Sequence, residues 1–141
     1  MEKKNRVTPE VIQSLGPNDV FVFGSNTEGY HGAGAALTAR LRFGAEMGAS
    51  MGLQGRSYAI ITKDLKKGKR SILLSIIEAQ VEELLEYARM RPDLTFYVTK
   101  FGCCLAGYEI EEIAALFVGK DIPDNVNLPE EFWTEVKTRW A

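Results

Sequence analysis

The sequence predicts an α/β domain whose sheet is parallel or mostly parallel and covered by helices on both faces. Two observations predict it. Short runs dense in apolar, β-branched and aromatic residues, led by Asp19–Phe23, alternate along the chain with stretches of helical periodicity. Such runs suit strands buried on both faces, and their alternation with helices marks a parallel sheet. Glycine-rich loops, Gly24–Gly34 and Gly102–Gly107, directly follow the first and third of these runs. Both loops should therefore fall beyond the carboxyl ends of the strands, where sheets of this kind bind ligands.

The elements follow in order. Val7–Leu15 reads as a short helix, with Thr8 as N-cap, Pro9 in the first helical position and Gly16-Pro17 as its stop. Asp19–Phe23 is the first buried strand, and Ala33–Phe43 a helix starting beside the glycines. Gly44–Gly55, with four glycines, reads as irregular. Ser57–Ile61 is the second strand, Asp64–Lys69 a charged turn, and Leu74–Met90 a helix with a stripe at Ile77, Val81, Leu84, Leu85 and Ala88. Leu94–Thr99 is the third strand, and Glu109–Phe117 a short helix with acids in its first turn, where they favour the dipole. Asn125–Leu128 reads as a last short strand and Pro129–Trp140 as a terminal helix.

A chain of 141 residues fits one domain, 1–141. Hydrophobic residues at 45% and charged residues at 26% are ordinary for a globular fold that holds its own core. The net charge of -2 argues against a nucleic-acid or anionic-lipid partner, yet leaves room for one small anion held by backbone N–H groups. The two cysteines, Cys103 and Cys104, are adjacent and build no disulfide framework, and one histidine assembles no zinc cluster. Met1–Arg6 lacks the apolar stretch of a signal peptide, and the longest apolar run, Ser71–Ile77, is too short to span a membrane. The expected compartment is the cytoplasm, with neither metal nor cofactor.

Three constellations could carry chemistry. In the first, a buried strand delivers Ser25 and Asn26 to the sheet edge, and Gly32-Ala33-Gly34 opens a helix whose N-terminal amides attract an anion. The spacing fits neither a P-loop nor a dinucleotide fingerprint, because no Lys follows and Leu37 stands where the third glycine belongs. The second, Gly102-Cys103-Cys104-Leu105-Ala106-Gly107-Tyr108, has the same strand–glycine–helix context, and the two loops side by side could clamp a diphosphate. Its plain alternative is a turn with two buried thiols. The third is Thr62-Lys63-Asp64, where Lys63 could meet a phosphate and Asp64 orient a water; a solvated turn is the alternative. His31, between glycines, could act as a base or hold a phosphate, or be a polar turn residue. Tyr30 and Tyr108 could stack on a ligand or simply pack, and Trp133 and Trp140 read as core or interface anchors, which leaves a homodimer open.

With these residues in view, the chain resembles the macro-domain superfamily, and more closely a small bacterial and bacteriophage branch of it. The resemblance is carried by Phe23-Gly24-Ser25-Asn26, His31–Ala36, Gly52–Ile60, Thr62-Lys63-Asp64 and the Gly-Cys-x-Leu-Ala-Gly loop, and covers about Asp19 to Pro129. It implies a three-layer α/β/α sandwich that binds ADP-ribose, with Asn26 near the distal ribose, Gly32, Ala33 and Gly34 as the first diphosphate loop and Gly102–Gly107 as the second. Lys63 falls where a subgroup that cleaves ADP-ribose from acidic side chains carries a lysine. Ala106 stands where that subgroup has an aspartate, and Cys104 where a glycine is usual.

The expected function is binding of ADP-ribose or a related nucleotide diphosphate, with hydrolysis of an ADP-ribose derivative as the activity such a site could support. Asn26, His31 and Asp64 are the candidates to orient the attacking water. Gly24, Ser25, Asn26, Gly32–Gly34, Lys63 and Gly102–Tyr108 are the candidate binding residues. The alternative is a non-catalytic nucleotide-sensing or protein-interaction module.

Overall fold

The computed structural model describes residues 6–103 and 105–140, the last three as backbone only. A central sheet holds five strands: β1 (Asp19–Asn26), β2 (Gly52–Gln54), β3 (Ser57–Lys63), β4 (Thr95–Val98) and β5 (Val126–Asn127), in the order β2-β3-β1-β4-β5. All neighbours pair in parallel except β2 with β3. The helices are α1 (Gly34–Arg42), α2 (Leu74–Met90), α3 (Ile110–Ala114, continued by a 3-10 turn over Ala115–Phe117) and α4 (Glu130–Trp140). This is a mixed α/β fold with a mostly parallel sheet flanked by helices.

Strand alternation decides which helix covers which face. Phe21 and Phe23 of β1 pack with Ala36, Ala39 and Phe43 in a small cluster under α1. Val20 and Val22, one residue out of phase, join Ile60, Phe96 and Val98 in the larger core under α2, α3 and α4. The α2 stripe Ile77, Val81, Leu84, Leu85 and Ala88 is buried as its periodicity predicts. At the start of α3, Glu109 and Glu112 form a reciprocal capping box.

Three expectations are corrected. Residues 7–15 are not helical: Val7 bridges Leu128, and the Thr8 N–H donates to the Leu128 carbonyl at 2.9 Å. The carbonyls of Gln13 and Leu15, which a helix would use internally, accept from Arg42 and Arg56. Distant partners thus replace local ones, and Thr8 is a buried residue rather than a cap. The stretch read as irregular, 44–55, ends in an antiparallel edge strand, β2, which propensity alone does not reveal because it is three residues long. The first strand also runs further than read, taking in Gly24, Ser25 and Asn26.

Candidate functional site

A cleft of about 530 Å³ opens at the carboxyl ends of β1, β3 and β4. One wall is Gly32, Ala33 and Gly34 with the first turn of α1; the other is Phe101, Gly102, Leu105 and Ala106. The two glycine loops therefore face each other across one space. A methyl group on Gly34, whose φ is +57°, would sit 3.2 Å from Leu105 Cδ1. A methyl on Gly24 would lie 3.2 Å from the Gly102 nitrogen and 3.1 Å from Thr62 Oγ1, so the strand passes the second loop at backbone distance. A groove of about 350 Å³ shares Ala35, Thr99 and Lys100 with the cleft and continues it along residues 8–12.

The cleft's electrostatics follow from its lining. Helix α1 has no side-chain cap at Ala33 and no acid in its first turn. Its first backbone bond runs from Leu37 N–H to Ala33 O, so the N–H groups of Gly34, Ala35 and Ala36 have no intrahelical acceptor. Lys63 and Lys100 line the cleft, and no Asp or Glu does so among the described residues. Lys100 is tied at 3.0 Å to both Glu131 and Glu10, which hold its ammonium pKa above the ordinary lysine value. Lys63 is delivered by a bulge: the β1–β3 register skips Thr62, so that Ser25 pairs Ile61 and Asn26 pairs Lys63. Bulges of this kind re-aim side chains beside sites.

Ser25 carries an unusual feature. It is 3% exposed and lines the cleft, yet its Oγ has no hydrogen-bond partner. Asn26 also lines the cleft, but its amide mostly shapes the loop: Oδ1 accepts from the N–H groups of Glu28 and Tyr30, and Nδ2 donates to Tyr30 O at 2.8 Å. The Tyr30 bond uses one of the two Nδ2 hydrogens.

The other residues singled out from the sequence sort cleanly. Gly24, Ser25, Asn26, Gly32, Ala33, Gly34, Lys63, Gly102, Leu105 and Ala106 meet in the cleft. His31 lies outside it, fully buried, with its ring edge on Phe23. Its Nε2 lies within hydrogen-bond distance of Ala49 O at 3.1 Å and Gln54 Oε1 at 3.2 Å, while its Nδ1 is buried without a partner. Asp64 also stands outside the lining; its Oδ1 accepts from Lys66 N–H and its carbonyl from Lys67 and Gly68, closing the turn. Tyr108 is buried with its hydroxyl on the backbone of Ile72, Gly107 packs against Lys69, and Cys103 packs on the larger core. Cys104 lies outside the described residues, as does the Trp140 side chain.

Sequence reasoning missed Lys100, Thr99 and Phe101 at the end of β4, and Ala35 and Ala36 on α1. Their shared signal was position, directly after a strand or directly after the glycines. Among the described residues no group of His, Cys, Asp and Glu is placed to hold a metal ion, and no helix is long and apolar enough to cross a membrane. Comparison of the chain with protein families, with curated proteins and with solved structures returns no match.

Proposed function

We propose that this protein binds ADP-ribose or a related nucleotide diphosphate in the cleft between its two glycine loops, on a three-layer α/β/α frame of the macro-domain kind. One observation carries the reading: both loops and the open N-terminus of α1 line a single space that contains two lysines and no described acid. Amides and ammonium groups converging on a concave site favour a phosphate-bearing ligand. The groove of about 350 Å³ that adjoins the cleft at Lys100, lined in part by Glu10 and Arg42, adds room for a second sugar.

Binding without turnover is the form of this reading that the geometry favours. His31 and Asp64, two of the three residues expected to orient a water, lie outside the cleft lining, His31 fully buried and Asp64 in the turn it closes. Isothermal titration with ADP-ribose is the test. A saturable one-site isotherm supports the proposal, with a stabilisation of about 2.7 kcal/mol once ligand reaches a hundredfold over Kd. Absence of both heat and thermal shift at millimolar ADP-ribose removes it. Release of free ADP-ribose from a mono-ADP-ribosylated protein would restore the hydrolytic form.

A further inference from the structure

Lysines cluster beside the cleft on the turn that follows β3, which closes on itself between Asp64 and Gly68. Lys63 and Leu65 line the cleft, and Lys66, Lys67 and Lys69 stand exposed just beyond them. None of these four lysines has an ion-pair partner among the described residues, although the chain as a whole carries a net charge of -2. Like charges gathered on so short a turn repel one another.

The turn is nonetheless held firmly. Arg70, at its end, adopts φ +54°, a left-handed value that costs a non-glycine residue free energy. Its N–H donates to Ala106 O at 2.8 Å, and its guanidinium meets both carboxylate oxygens of Glu112 at 2.7 Å. The lysine-bearing turn is thus docked on the second glycine loop, beside the cleft. Tyr30 lines the cleft, is 58% exposed and lies against Gly32.

We infer that the cleft receives the terminal nucleotide of a single nucleic-acid strand, whose phosphates run along the lysines of residues 63–69. This rests on the nucleotide reading above and adds the partner. Total charge speaks against a nucleic-acid footprint, but a strand meets the local distribution. Clustered lysines without ion-pair partners, beside an exposed aromatic side chain and a nucleotide-sized cleft, are what single strands bind. Leu73 and Ile76, exposed at the start of α2, would suit an anionic membrane, but a flat lipid surface gives the cleft no occupant.

The test is fluorescence anisotropy with a short labelled single-stranded oligodeoxynucleotide, run beside titration with ADP-ribose. The strand should bind, ADP-ribose should displace it, and its affinity should fall steeply with salt. The triple variant K66Q/K67Q/K69Q, whose substitutions lie outside the cleft lining, should lose about tenfold or more in strand affinity at low salt. Its salt slope should drop by about 2, as expected for three lost phosphate contacts on a single strand. ADP-ribose affinity should be unchanged, and the melting temperature equal or higher because neutralising the lysines relieves their repulsion. If ADP-ribose binds while the strand does not, or the strand binds but is not displaced, or the variant binds it equally well, the inference fails and the nucleotide reading stands. Binding to phosphatidylserine vesicles without strand binding also overturns it. Failure of ADP-ribose to bind removes the nucleotide reading and this extension with it.

Discussion

The side-chain amide of Gln80 on α2 grips both backbone groups of Ile61 on β3, accepting from its N–H at 2.8 Å and donating to its C=O at 2.9 Å. The pairing of β2 with β3 ends at Ala59, so Gln80 takes the place of a neighbouring strand for the last stretch before Lys63. A covered edge is also closed to pairing with another chain.

Replacing Gln80 by Leu keeps the volume and strands both groups of Ile61. Two unmet backbone partners should cost about 1–3 kcal/mol, read as a lower urea midpoint at unchanged slope. A wild-type midpoint in Q80L would show that the amide carries no weight there.

Ser25 should behave in the opposite sense. Its buried hydroxyl is unpartnered in the free protein, so S25A should melt at the same temperature or higher. The same substitution should weaken ADP-ribose binding about tenfold, or about 1.4 kcal/mol, if the ligand supplies the missing acceptor. Equal affinity in S25A would place the hydroxyl outside recognition.

His31 is a wedge between β1 and the 44–55 segment rather than a group facing the cleft. H31A should destabilise by about 2–4 kcal/mol through lost packing and lost hydrogen bonds. A variant of native stability that had lost turnover would instead make His31 catalytic.

The Arg70–Glu112 pair sets an acid limb on stability. Hydrogen bonding from Arg70, then from the Glu109 N–H, holds the Glu112 carboxyl down from 4.5 to about 2. A depressed folded pKa adds stability that is present above the unfolded value and is lost as pH falls from about 4.5 towards 2. Melting temperatures of E112Q should therefore fall less steeply than wild type across that window. Parallel curves would contradict the assignment.

Much of this molecule was legible in the chain. The α2 stripe, the buried strands and the placement of glycines straight after β1 and β4 all follow from local pattern, because burial on one face leaves a period in the sequence. That placement also brought Gly32–Gly34 and Gly102–Ala106 to one edge, since a parallel sheet puts every strand's carboxyl end on the same side. Local pattern misjudged residues 7–15, where Arg42, Arg56 and Leu128 supply partners from far along the chain. It also could not separate Lys63 and Lys100, which reach the cleft, from His31 and Asp64, which do not. The sequence by itself determined the mostly parallel sheet flanked by helices and the edge at which the glycine loops meet. Only the tertiary structure decided which polar atoms face the cleft, because a one-residue bulge at Thr62 and a hydrogen bond to Gln54 turn side chains in ways that no periodicity records.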